Sequence, residues 1–404
     1  MKEKIADIWI RIELILVLIS TSIILLSTLG TKTGSQYIII IFIVFFIVLM
    51  AVIFNFLRHR GRKLMVVSRW LDIVTIPLIL SGIWAIVVTF AMENKNTQWL
   101  VAIVSYVILF VMFLPIVKVD FGRVTNTIGR IIMTVILMES FLTTESVSFK
   151  SSSNFWFTVF NTGTIAASIC FILGMLIARE WGFDLNPNLE WLKSPNFSYL
   201  SLGILFVVQA WYIFWNAYGI DSNNLLTTIF GIELHKFTFS WPALLRPIEA
   251  GILEETFRYL LIISLIVGLK KFKFRLQLTV VISSLIFGAM HIGNVGEQKL
   301  NATIGQICFA AASGLIFGII YLYTGKLWLS MITHFALDFL AFSQPGGLDP
   351  IVWNGSVGDW LNLSVSIIIP VVLAIWMMTG RRKLVMEENI ERLLARRNYM
   401  KEKK

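Results

Sequence analysis

Stretches of about 20 apolar residues recur along the whole chain, each long enough to cross a hydrocarbon core of about 30 Å as a helix. A helix is the one open-ended structure that satisfies its own backbone hydrogen bonds where water is absent. Twelve spans are expected, at 8 to 29, 37 to 56, 70 to 92, 98 to 117, 130 to 146, 155 to 178, 199 to 220, 246 to 268, 277 to 293, 304 to 323, 327 to 343 and 362 to 379. Of the 404 residues 57% are apolar and 14% charged, whereas soluble domains carry roughly 25% charged residues. The expected fold class is an all-α polytopic membrane protein, with no stretch left over for a soluble domain.

The formal net charge of +10 does not describe a nucleic-acid-binding face, because the basic residues lie in short loops and at the C-terminus. Arg58, Arg60, Arg62, Lys63 and Arg69 cluster after the second span, Lys118, Arg123 and Arg130 after the fourth, and Lys270, Lys271, Lys273 and Arg275 after the eighth. Nine more lie between Arg381 and Lys404, while ENKNTQ at 93–98 and the stretch 343–361 are nearly free of them. By the positive-inside rule both termini are cytoplasmic. The start, MKEKIADIWIRIELILVLIS, reads as a retained first helix: its hydrophobic stretch is long, follows Arg11 and Glu13, and lacks a clear small-residue cleavage site. Leu384, Ile390, Leu393 and Leu394 punctuate the basic tail, which is read either as a solvated orientation signal or as an amphipathic helix on the anionic inner leaflet. Cys170 and Cys308 lie in apolar spans without paired spacing, which implies neither a disulfide framework nor a zinc cluster.

Three regions are expected: an N-terminal membrane region of about six helices at 1–197, a C-terminal membrane region at 198–380, and the tail at 381–404. The first carries scattered polar residues, such as Glu139 and Asn161, with no interpretable spacing. The second concentrates its polar residues. GILEETFRYL, from Gly251 to Leu260, places two glutamates and an arginine inside an apolar run. Glu254 and Arg258 are four residues apart and Glu255 and Arg258 three, so the guanidinium can bridge either carboxylate on one helix face. At about 3 kcal/mol per ionised group, the gross cost of inserting the three is on the order of 10 kcal/mol before pairing, more than a packing role ordinarily justifies.

Two of the four histidines, His291 and His334, fall inside expected spans, while His59 and His235 lie in loops. Phe287 precedes His291 by four residues and Asp338 follows His334 by four, so each pair shares a helical face. A carboxylate one turn from a histidine can hold the ring's tautomer and orientation. Ala310, Gly314 and Gly318 form a small-residue ridge suited to helix packing, and Trp241 with Pro242 reads as an interfacial anchor and a helix start.

These residues resemble the CPBP intramembrane proteases, also called the Abi or CAAX-protease-like family, whose pattern is EExxxR, FxxxH and HxxxN or HxxxD on successive helices. The second motif is FGAMH, Phe287 to His291, and the third is HFALD, His334 to Asp338. The first departs: EETFR, Glu254 to Arg258, has two residues between the second glutamate and the arginine where the family has three. Anchored on Arg258, the first glutamate position falls on Leu253; anchored on the glutamates, the arginine arrives about 100° early around the helix. The resemblance covers roughly residues 245–343.

The resemblance implies an intramembrane endopeptidase that hydrolyses a membrane-associated or lipidated peptide in a bacterial plasma membrane. It gives Glu254 the role of general base toward water, Glu255 that of support or substitute, and His291 a part in holding the water. His334 and Asp338 line the oxyanion and leaving-group side, and Arg258 keeps a carboxylate ionised. No cofactor is implied, zinc held by His291, His334 and Glu254 being the alternative. Membrane lipids, a membrane peptide substrate and a membrane protein partner are the expected associates. With 1.5 Å per residue, Glu254 and Asp338 lie roughly 12 Å from the outer ends of their spans, His291 about 5 Å and His334 nearer 18 Å, so a common site requires tilt or a broken ninth helix. A non-catalytic scaffold or immunity protein is the competing reading. A twelve-span transporter fits less well, since FLRHRGRKL matches the major facilitator loop signature poorly.

Overall fold

The computed structural model describes residues 3–29, 34–92, 97–144, 147, 155–183, 194–349 and 352–402. Most of the ENKNTQ loop, the end of the expected fifth span and the last two lysines of the tail lie outside the described residues. The chain separates into two compact units, Met1–Trp181 and Gly182–Lys404.

The first unit contains α1 (Glu3–Thr28), α2 (Gly34–Leu57), α3 (Arg62–Ala91), α4 (Gln98–Val119), α5 (Thr127–Thr144), α6 (Phe155–Asn161) and α7 (Thr164–Glu180). The second contains α8 (Tyr199–Tyr218), α9 (Leu225–Phe230), α10 (Trp241–Gly268), α11 (Arg275–Met290), α12 (Leu300–Thr324), α13 (Leu327–Phe342), α14 (Val357–Met377) and α15 (Gly380–Glu402). Among the described residues nine helices are long and apolar enough to cross a membrane, or ten if the pair α6 and α7, bent by 52°, is one span. The protein is an integral membrane protein of helices. Twelve spans are not established on length and composition: α10 carries Arg246, Glu249, Glu254, Glu255 and Arg258, and α13 has only 16 residues. The bend falls at Gly163, whose φ of 71° lies in the left-handed region.

Within the first unit, two of the arginines read as orientation charges are occupied in the interior. Arg58, on a 3₁₀ turn after α2, is buried, with Nη2 3.4 Å from Asp120 Oδ1, and Nη1 3.5 Å from Asp72 Oδ2 and 4.0 Å from Asp7 Oδ1. Arg69 Nε lies 3.8 Å from Asp120 Oδ1. Asn55 Nδ2 donates to Asp72 Oδ2 at 2.8 Å and Ser68 Oγ to the same oxygen at 3.3 Å. One cluster thus joins the ends of α1, α2, α3 and α4.

In the second unit α10 packs between α11 and α13, and α12 against α11 and α14. Helix α10 starts where Ser240 Oγ accepts from the Ala243 N–H, with Pro242 in the first turn, where no intrahelical donor is lost. Gly251 lets α10 and α13 approach closely: a Cβ there would lie 2.9 Å from the Met331 carbonyl oxygen. The tail corrects both sequence readings. Val385, Met386, Ile390, Leu393 and Leu394 of α15 are buried in the protein's own fold, and Asn389 Nδ2 donates to the carbonyls of Leu322 at 2.9 Å and Tyr323 at 3.1 Å. Those carbonyls belong to the last turn of α12, where helical acceptors have no partner of their own. The apolar face of α15 is spent on protein, so the tail is neither freely solvated nor laid on a leaflet by that face.

Candidate active site

Helices α10 and α13 meet through one imidazole. His334 Nδ1 lies 2.9 Å from Glu255 Oε1, and Nε2 lies 3.5 Å from Glu254 Oε2 and 3.4 Å from Asp338 Oδ2. Helical spacing prepares both sides: Asp338 is one turn beyond His334, and Gly251 is one turn before Glu255, so the close approach of the two backbones sits directly beside the contact.

The two glutamates have different surroundings. Glu255 is fully buried and receives Arg258 Nε on both oxygens, at 3.2 and 3.1 Å, as well as His334. Glu254 keeps 19% of its side chain exposed, and Asp338 keeps 23%. The arginine that arrives early in the first motif therefore pairs with the second glutamate at three-residue spacing and leaves the first one open. A carboxylate held by guanidinium and imidazole together is fixed in place, whereas Glu254 has a free edge.

A third wall comes from α12, which the sequence patterning assigns to packing. The Arg258 guanidinium carbon stands 3.9 Å from the centroid of Phe287 and 5.5 Å from that of Phe317, a cation–π sandwich in which Nη1 and Nη2 have no hydrogen-bond partner among the described residues. Phe317 also stacks on His334, with centroids 4.6 Å apart and planes at 16°. Room for the guanidinium comes from Gly314, where a Cβ would lie 2.6 Å from Arg258 Nη1. At Gly318 a Cβ would make ordinary contact, 3.7 Å from Val280. Gly314 was visible as a small residue at helical spacing; nothing in the sequence marked Phe317.

His291 stands apart from this set. α11 ends at Met290, and the segment continues from His291 to Gly296 as a 3₁₀ turn within one continuous apolar stretch, Arg275–Gly296, so the helix tightens at the histidine without a sharp bend. Its Nδ1 lies 3.2 Å from the Phe287 carbonyl oxygen and its ring meets Phe287 edge-on at 5.1 Å. Among the described residues no group of three or more His, Cys, Asp and Glu side chains is arranged to hold a metal ion.

Residues 236–340 match the family described as type II CAAX prenyl endopeptidase Rce1-like. That segment belongs to the CPBP family. No curated protein and no solved structure matches the chain. The CPBP segment is about a quarter of the chain and runs from just before α10 nearly to the end of α13, so it carries all six candidate residues. Gly314 and Phe317 also fall within it, between the second and third motifs. The protein is thus an integral membrane protein bearing a domain of a CAAX-type intramembrane protease family. In chemical terms the CPBP site offers one locked carboxylate, two accessible ones and an imidazole between them, a set able to accept, hold and return a proton.

Proposed function

We propose that the CPBP segment is a glutamate-dependent intramembrane endopeptidase acting on a membrane-associated or lipidated peptide. The observation that carries the reading is the division of labour around His334: Glu255 is consumed by Arg258 and the Nδ1 side, while Glu254 and Asp338 flank Nε2 with exposed edges. Glu254 takes a proton from a water molecule whose oxygen attacks the scissile carbonyl carbon. The oxyanion is met from the His334 and Asp338 side, and the proton held by Glu254 passes to the departing amine as the C–N bond breaks. In a low-dielectric site such fixed groups act more strongly than in water. Glu255 and Arg258 position the imidazole, and His291 helps hold the water. The loop charges support cytoplasmic termini, and a bacterial plasma membrane is the setting this reading takes.

The test is cleavage by the purified full chain, reconstituted in vesicles, of a panel of membrane peptides that includes prenylated C-termini. Wild type is expected to cleave at least one, E254Q and H334A none, and a chelator is expected to change nothing. Equal cleavage by wild type and E254Q overturns the assignment of the base. Failure to cleave any peptide, with cellular phenotypes indifferent to E254Q and H334A, favours the scaffold.

A further inference from the structure

The turn between α10 and α11 has a charge pattern that the proposed chemistry does not use. Lys270, Lys271, Lys273 and Arg275 stand within LKKFKFR, residues 269–275, and no Asp or Glu occurs between Arg258 and Glu297. Phe272 and Phe274 alternate with the lysines and expose 58% and 57% of their surfaces. Ring and amine lie side by side, Lys273 Nζ being 5.8 Å from the Phe274 centroid. Two exposed phenyl rings immediately before a membrane-crossing helix are placed at the headgroup and acyl boundary, where aromatic bodies rest on apolar chains and amines reach phosphate.

The neighbouring helix strengthens the pattern. Arg275 Nη2 bonds Glu391 Oε1 of α15 at 2.5 Å, and Gln277 Nε2 reaches the Met378 carbonyl just before that helix. Glu391 is therefore engaged by Arg275, and the three lysines of the turn have no ion pair among the described residues. At its start α15 presents exposed Arg381 and Leu384, the same pairing of cation and apolar side chain. Because the main apolar stripe of α15 is buried in the protein, the surface that can meet lipid is this turn with the helix's first residues, and not the tail's amphipathic face.

We propose that the α10–α11 turn, with the start of α15, is a binding surface for anionic phospholipid headgroups. Lys270, Lys271 and Lys273 take the phosphates and Phe272 and Phe274 anchor in the acyl boundary. The occupant follows from charge: a turn with four cations and no anion gains from a negatively charged leaflet, by about fivefold in affinity per lysine. The surface is independent of the protease reading, since none of its residues touches the candidate site.

The experiment is hydrogen exchange of the full chain in nanodiscs of phosphatidylcholine alone or mixed with phosphatidylglycerol. The expected result is slower exchange of residues 269–275 with the anionic lipid, abolished by the K270Q/K271Q/K273Q variant and weakened by salt. F272S/F274S is expected to lower protection in both lipids. Unchanged exchange in α12 and α13 shows that each variant is folded. Equal exchange of the turn in both lipids overturns the proposal. So does equal protection by inorganic phosphate in phosphatidylcholine discs, which marks a free-anion site instead of a lipid surface.

Discussion

Arg58 in the first unit and His334 in the second each stand among three carboxylates: Asp7, Asp72 and Asp120 around the one, Glu254, Glu255 and Asp338 around the other. The distances overlap, 3.4 to 4.0 Å and 2.9 to 3.5 Å. The central group differs, and with it the chemistry. A guanidinium keeps its protons at any ordinary pH, so the Arg58 cluster can hold four helix ends but has no proton to trade. An imidazole can release and take back a proton at a ring nitrogen. Exposure does not separate the carboxylates: Asp72 and Asp120 are buried and Asp7 keeps 22% of its side chain exposed, just as Glu255 is buried while Glu254 and Asp338 keep 19% and 23%. A nest of acids around a base inside a membrane is therefore not by itself a catalytic sign; the sign is an exchangeable proton at the centre.

The largest expected effect separates the two clusters by activity. E254Q and H334A are expected to lower peptide cleavage by about 10²- to 10⁴-fold, while R58A leaves cleavage per folded molecule unchanged. A loss in R58A as deep as in H334A would break the distinction. Next comes stability, where the clusters should behave alike: R58A and R258A each leave buried carboxylates uncompensated and are expected to cost about 3 to 5 kcal/mol, read as lowered unfolding temperatures in detergent. The contribution of α12 is smaller and sharper. G314A forces Arg258 to move, with an expected cost of about 1 to 3 kcal/mol and a matching loss of cleavage, while G318A, with ordinary contact at the new methyl, should match wild type in both assays. The smallest effect is expected from E391Q, which removes the ion pair between Arg275 and a mostly exposed glutamate; about 0 to 1 kcal/mol is the range for such surface pairs, and a drop as large as that of R58A would mean α15 clamps the fold mainly through charge.

Much of the second cluster was legible because it is local. Glu255 with Arg258 and His334 with Asp338 are pairs on single helices, and helical spacing is a property of the sequence. The first cluster was not legible because its members are scattered: Arg58 and Asp120 are separated by 62 residues, and only packing of α2 against its neighbours brings them together. The same limit hid Phe317 and the docking of α15. It also left open which glutamate meets the arginine, a choice between neighbouring positions that depends on where α13 places His334.

By itself the sequence determined a helical membrane protein and a set of acidic and imidazole side chains one turn apart, because hydrocarbon admits few backbones and a helix repeats every 3.6 residues. Only the tertiary structure decided that Glu255 is locked and Glu254 open, that α12 supplies a wall through Gly314 and Phe317, and that Arg58 is an internal clasp. Each of those depends on contacts between helices, and close packing selects them by shape and charge across distances that no sequence period encodes.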